Sequence, residues 1–205
     1  MGSHHRLRVG VIGAGTFAAD CHIPGIQSHP QAEVVALCGR READTRAMAD
    51  RFQVPGVHTD FRELCARDDI DAVTIVTPDI FHCEQALCAF AHGKHVLCEK
   101  PLAMNVAEAR QMVAAAEASG RVRQVGFIFR YNYGIAELRR RIAAGEIGEP
   151  FYLRIQYDSW DGLRPDWRVT WRERYELAAG GVIYHVGVHL FDIAHHVLGK
   201  VVSAT

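Results

Sequence analysis

Residues 180 to 196 read GGVIYHVGVHLFDIAHH and set several imidazoles and a carboxylate at helical spacing. At about 100° per residue, His185, His189, Asp192 and His196 share one stripe, while Val182, Val186, Leu190, Ile193 and Val197 point elsewhere. Two histidines four apart can chelate zinc, with Asp192 as a third ligand. The same imidazoles can move protons in a redox site. A polar stripe can also be only the wet side of an amphipathic helix, with His195 and His196 complementing its dipole. Zinc would need an independent fourth group, and no metal site is expected.

A second set of residues points to a dinucleotide. VGVIGAGTFA contains Gly13-Ala14-Gly15-Thr16-Phe17-Ala18, a G-x-G-x-x-A after a strand and at the start of a helix. The first glycine permits a tight turn, the second lets backbone approach a pyrophosphate, and small Ala18 allows close helix-strand packing. Gly13, Gly15, Thr16 and Phe17 are therefore expected at the cofactor. About 20 residues further on, an NAD site usually carries an acid for the ribose 2′-hydroxyl. Here CGRRE puts Gly39 at that place, followed by Arg40 and Arg41. A guanidinium suits a 2′-phosphate, so NADP(H) is expected ahead of NAD(H). Lys100, in GKHVLCEKPLA, stands at the carboxyl end of a buried strand, the edge where open α/β sheets bind ligands. Beside a nicotinamide, such a lysine can donate to the oxygen on the carbon that gives or takes hydride.

These residues need a scaffold that brings strand ends together. LRVGVIG (7–13), EVVALCG (33–39), DAVTIVT (71–77) and HVLCEK (95–100) read as buried parallel strands, and RVRQVGFIF (121–129) adds another. TFAADCHIPGIQS, READTRAMADRF, DIFHCEQALCAFAHG and NVAEARQMVAAAEASG alternate with them as helices, the last with an asparagine cap and Gly120 as its stop. The alternation predicts an α/β class, a doubly wound parallel Rossmann sheet over residues 6–129. After about residue 130 a helix over YNYGIAELRRRIAAGEIG, a strand over EPFYLRIQYDSW, an arginine-rich aromatic loop (160–178) and the histidine helix (180–198) are expected. KVVSAT begins a further strand, so residues 130–205 read as an incomplete α+β second domain.

Composition agrees with an ordinary soluble chain of 205 residues, 49% hydrophobic and 23% charged. A formal net charge of -1 gives no reason to expect nucleic acid or an acidic membrane surface. No uncharged apolar run reaches the roughly 18 residues of a membrane span, and a cytoplasmic protein is expected. MGSHH resembles an expression-tag remnant, so His4 and His5 carry no role. Arginine outnumbers lysine twenty to three. The six cysteines occur without a C-x-x-C pair and read as reduced core residues.

VTIVTP, FHCEQALCAFAHGKHVLCEKPLA and GGVIYHVGVHLFD, in this order, resemble the Gfo/Idh/MocA oxidoreductases, named for glucose-fructose oxidoreductase, inositol dehydrogenase and a rhizopine-catabolism protein. The resemblance runs from residue 7 over nearly the whole chain, and implies a second domain that continues well past this length. It implies that Lys100 works at the substrate hydroxyl, with Glu99 held close to it and Pro101 near the nicotinamide. It makes Thr77, Pro78 and His82 of TPDIFH cofactor neighbours, and Arg130 and Tyr131 weaker candidates for the substrate cleft. Family members commonly read G-G-x-L-x-D-x-G-x-H-x-x-D; here His185 stands where aspartate is usual, while His189 keeps its place. His189 is then the expected general acid/base, His185 a substrate-orienting neighbour, and Asp192 a supporting or packing residue.

The implied activity is hydride transfer between NADP(H), with NAD possible, and a hydroxyl or carbonyl carbon of a sugar, amino-sugar or cyclic polyol. Trp160, Trp167, Trp171, Arg164, Arg168 and Arg172 suit a sugar face or an acidic substituent, and equally suit packing and solvated charge. Two other functions stay open: an NADP(H)-binding sensor or inactive partner, and a glycosidase assisted by transient oxidation. A homo-oligomer is expected, because an unfinished sheet leaves edges to cover.

Overall fold

A computed structural model describes residues 6–158, 168, 170–178 and 180–203. The chain forms two compact units, Met1–Gly126 and Phe127–Thr205.

The first unit is a parallel sheet of β1 (Leu7–Ile12), β2 (Ala32–Cys38), β3 (Gly56–His58), β4 (Ala72–Ile75), β5 (His95–Cys98) and β6 (Arg123–Val125), in the order β3-β2-β1-β4-β5-β6. The chain runs outward from β1 to β3, then returns to β4 beside β1. That reversal opens the crevice where doubly wound sheets take ligands. Alternate residues of these strands bury against two separate apolar clusters, one containing Ile12, Ile75, Val96 and Cys98, the other Val11, Val34 and Leu37. Burial on both faces explains why the strands read as continuous apolar runs.

Helices α1 (Ile23–Gln27), α2 (Glu42–Phe52), α3 (Phe61–Cys65), α4 (His82–Ala91) and α5 (Val106–Ser119) supply the two covers. Asn105 caps α5 by accepting from the Glu108 amide, and Gly120 ends it in the left-handed region at φ +63°. Strand β3 and helix α3 were not expected, being three and five residues long and too short to show a period. The first helix is also less regular than expected. Ala18–His22 form a π-turn before α1, and Pro24, which has no N–H to give, sits in the first turn of α1.

In the second unit, a 3₁₀ turn Ile128–Tyr131 and α6 (Tyr133–Ala143) pack on α8 (Val188–Leu198); α7 (Tyr175–Ala178) and a π-turn Ile183–Gly187 precede α8. Three strand expectations are corrected. Residues 121–129 yield only Arg123–Val125, because the chain turns at Gly126 into the Ile128–Tyr131 turn. Among the described residues, 149–158 and 200–203 form no strand: no neighbouring strand pairs with them, and Phe151 and Val202 are 99% and 95% exposed. Residues 159, 160, 204 and 205 lie outside the described residues. Tyr175–Leu198 is, by length and composition, long and apolar enough to cross a membrane, which the run-length criterion above did not register. Its Ile193 and Val197 are nevertheless buried within the second unit.

Candidate active site

The first unit gathers its chemical residues by extending the sheet ladder one residue past each strand. Gly13 N–H donates to Cys38 O (2.8 Å), Gly39 N–H to His58 O (3.1 Å), Val76 N–H to Ile12 O (2.7 Å), Glu99 N–H to Ile75 O (2.9 Å) and Gly126 N–H to Cys98 O (2.8 Å). Gly13, Gly39, Val76, Glu99 and Gly126 therefore lie along one carboxyl edge. At φ +115° and against the carbonyl of Val76, Gly13 has neither the conformation nor the room for a side chain. Gly15 is exposed, with open space where a Cβ would stand, and its carbonyl accepts from Ala19 N–H at 3.1 Å. Thr16 is exposed beside it, Ala18 is fully buried, and Phe17 meets the His22 ring edge-on at 5.4 Å. This cradle of bare backbone at a helix start fits a pyrophosphate.

At the end of β2, a Cβ on Gly39 would collide with the Thr45 hydroxyl and the Ala14 methyl, so packing as well as sequence keeps a carboxylate away. Thr45 is fixed there, buried, its hydroxyl donating to Arg41 O at 2.8 Å. Arg40 and Arg41 are both exposed at this edge, and Arg41 pairs with Asp44 one turn into α2.

Past β4 and β5, the Thr77 hydroxyl donates to Gln85 Oε1 (2.6 Å), and His82 bridges two loops: Nδ1 lies 2.8 Å from Pro101 O and Nε2 2.9 Å from Thr77 O. Two carbonyl acceptors are fully satisfied only by an imidazolium. Burial opposes that charge and pushes His82 below its ordinary value, with the two carbonyls pulling the other way. Pro78 is half-buried between them, Pro101 is buried, and Lys100 is half-buried. Glu99 is 7% exposed; its Oε1 lies 2.9 Å from His22 Nε2 and its Oε2 accepts from Lys100 N–H at 3.3 Å. The neighbouring thiol of Cys98 is pushed well up by burial, and Cys38 up to about 12, so these core cysteines are inert.

In the second unit the middle of the histidine stripe is buried, with His185 and His196 half-buried at its ends. His189 and Asp192 are 6% and 7% exposed, whereas Val182, Ile183 and Phe191 face out. The solvent-stripe alternative is therefore overturned for these two residues. Phe129 stacks on the His189 ring (4.4 Å between centroids, 26° between planes), with Phe127 edge-on at 6.1 Å. Arg130 grips Asp192 through Nε (2.8 Å to Oδ2) and Nη2 (2.5 Å to Oδ1). That clamp occupies Arg130, expected as a substrate-cleft residue, and takes Asp192 out of the ligand set a zinc site would need. Tyr131 is exposed. His185 meets Trp171 edge-on at 5.6 Å, and Arg172 lies over the Trp171 ring at 4.8 Å. Trp160, Trp167 and Arg164 lie outside the described residues.

Comparison with known proteins bears directly on this arrangement. Residues 7–127 match the model of an oxidoreductase family with an NAD-binding Rossmann fold, GFO_IDH_MocA, and residues 135–205 match the GFO/IDH/MocA C-terminal domain. The chain belongs to the Gfo/Idh/MocA oxidoreductase family. Within the family it is 33% identical over 193 residues to D-glucoside 3-dehydrogenase of Escherichia coli (strain K12), covering 94% of this chain and 54% of that one. Among solved structures it is similar to an oxidoreductase domain protein from Kribbella flavida (TM-score 0.90, 36% identity, covering 95% of this chain and 54% of that one). It is also similar to levoglucosan dehydrogenase in complex with NADH (TM-score 0.80, 28% identity, 96% and 55% covered). The chain spans about half the length of the curated relatives it matches.

Against the Gfo/Idh/MocA pattern, one residue of this edge was missed by sequence reasoning. His22 lies in the π-turn after the glycine cradle, 8% exposed, with Nδ1 2.9 Å from Thr74 Oγ1 and Nε2 on Glu99. No local motif marks it, since its partners are 52 and 77 residues away in sequence.

Proposed function

We propose that this chain carries the cofactor site and proton-transfer groups of an NADP(H)-dependent oxidoreductase acting on a sugar, amino-sugar or cyclic polyol. The observation that carries the proposal is the single carboxyl edge on which the bare glycine cradle, the acid-free turn at Gly39 and the Glu99-Lys100 pair stand in register. Gly13, Gly15, Thr16 and Phe17 would hold the pyrophosphate end, Arg40 and Arg41 the 2′-phosphate, and Thr77, Pro78, His82, Glu99 and Pro101 the nicotinamide side. The nicotinamide, when bound, supplies or accepts the hydride.

The chain's own residues handle the proton and the charge. Lys100 donates to the oxygen on the reacting carbon and stabilises developing alkoxide charge. His189, held flat by Phe129, takes or returns the hydroxyl proton, and His185 with Trp171 orients the sugar ring. The relatives support a sugar or polyol, and the levoglucosan dehydrogenase complex holds NADH. The preference for the phosphorylated cofactor therefore rests on Gly39 and the two arginines alone. Cytoplasmic location, homo-oligomeric assembly and the lack of membrane and nucleic-acid partners belong to the same proposal, and native mass tests the assembly.

A parallel titration with NADPH and NADH, followed by nicotinamide fluorescence, decides the cofactor. NADPH should bind at least about tenfold more tightly, a difference of about 1.4 kcal/mol. Equal affinities would remove the 2′-phosphate assignment, and binding of neither would remove the cofactor site. Lys100→Ala should lower hydride transfer by about a hundredfold or more with cofactor affinity little changed. Activity retained within a factor of a few would refute the lysine's role.

A further inference from the structure

The proposed chemistry gives Glu99 no proton to move, yet its carboxylate is buried and held at both oxygens. It is buried between the π-turn and the end of β6, so close to Gly126 that a Cβ there would stand 2.5 Å from Oε1. Its two oxygens meet His22 Nε2 (2.9 Å) and the Lys100 amide (3.3 Å). His22 is in turn anchored through Nδ1 on Thr74, a fully buried residue of β4. The ionisable side chains around this carboxylate are His22 and, further off, His82 and Cys98, while Lys100 meets it through its backbone amide; Asp20 and Cys21 of the same turn are exposed.

The geometry allows one satisfied arrangement with a neutral imidazole. Nε2–H donates to Glu99, and Nδ1 accepts from the Thr74 hydroxyl. If His22 gains a proton, the hydroxyl rotates and accepts instead, and the carboxylate keeps its donor. Glu99 is therefore furnished with hydrogen bonds to its charged form in either state of the histidine.

We propose that His22 is a positioning residue for Lys100: held by Thr74, it fixes the Glu99 carboxylate, and the fixed carboxylate both seats the Lys100 backbone and acts on the charge of the lysine side chain. The π-turn that follows the glycine cradle is thereby tied through hydrogen bonds to the lysine's backbone. The inference rests on the assignment of Lys100 to the substrate oxygen, but its test needs neither substrate nor cofactor.

The chain has only three lysines, Lys94, Lys100 and Lys200, so trace acetylation with acetic anhydride across the amine titration range, read by peptide mass, gives a separate midpoint for each. Lys94 is buried with its ammonium on Arg67 O and Ile70 O, and its slow labelling reports that the fold is intact. Glu99→Gln and His22→Asn, which keeps a group near Thr74 but loses the donor to Glu99, should each lower the Lys100 midpoint by about one unit. His22→Gln, which restores an N–H at the far position, should return it to the wild-type value. Lys200 should not move in any of them. A Lys100 midpoint unchanged in Glu99→Gln with Lys94 still protected overturns the proposal. So does His22→Gln shifting as far as His22→Asn. Because all three variants replace polar by polar, a fold lost in one leaves the decision to the other two. Lys100→Ala inactivation is a separate result: the midpoints can hold while that assignment fails, and the reverse.

Discussion

Arg130 and Asp192 are 62 residues apart in the chain and meet in a two-point clamp that the helical wheel could not anticipate. Asp192 is 5% exposed at its side chain and Arg130 39%, so one partner of the pair is wet. The hydrogen bonds to Asp192 hold the guanidinium's proton more tightly than usual, and burial works against this. Arg130→Met would keep the stem and strand a buried carboxylate. Fully buried pairs cost about 3–5 kcal/mol when broken this way; with Arg130 partly solvated, about 2 kcal/mol is expected from urea unfolding. Asp192→Asn, which removes the charge and keeps an acceptor, should cost clearly less. An equal loss in the two variants would mean that shape, not charge, sets the clamp's contribution.

At the scale of elements, caps and turns decide where the site residues end up. Helix α5 starts at a reciprocal box: Glu108 N–H donates to Asn105 Oδ1 at 3.0 Å, and Glu108 Oε2 accepts from Met104 N–H at 3.1 Å. Asn105→Ala should destabilise the first unit by about 1 kcal/mol, read as a shift of the urea midpoint. The cap lies only a few residues past Lys100-Pro101, so cofactor affinity should fall little unless the whole loop depends on the box. In α8, His189 and Asp192 are buried together with Ile193 and Val197, while Phe191 faces outward. His189, buried between Phe127 and Phe129, is held by packing on both rings, as the proton-transfer role proposed for it requires.

For the whole molecule, the useful coupling is between protonation and stability. Burial lowers His82 from its ordinary 6.5, and desolvation with Arg139 and Arg130 nearby lowers His196 in the same direction. A histidine depressed in the folded state is neutral there while the unfolded chain still takes up a proton. Below about pH 6.5 the unfolded state therefore binds more protons, and stability falls as pH drops; above it the contribution is fully present. Urea midpoints should thus decline from about pH 7 to about pH 5.5, and His82→Gln should flatten part of that slope. A slope unaffected by His82→Gln would place the titrating group elsewhere. The brace matters functionally because His82 joins the Thr77 loop to the Pro101 loop, the two sides of the proposed nicotinamide site.

Much of this protein is settled by local pattern. Apolar runs at strand spacing, the G-x-G-x-x-A turn, the Asn105 cap and the ordered motifs around Lys100 and His189 suffice for the doubly wound fold and the family, because each depends on residues close in sequence. Short elements such as β3 and α3, and the π-turn at Ala18–His22, escape such reading because they are shorter than any period. Of the strands expected at 149–160 and from 200 onward, the described residues 149–158 and 200–203 show the opposite failure: propensity proposes a strand, but only a hydrogen-bonded neighbour makes one. Tertiary structure alone decided that His189 and Asp192 are buried, that Arg130 serves Asp192, and that His22 reaches Glu99 across 77 residues. Buried polar groups must find partners wherever the fold brings them, and no spacing rule in the chain records where that is.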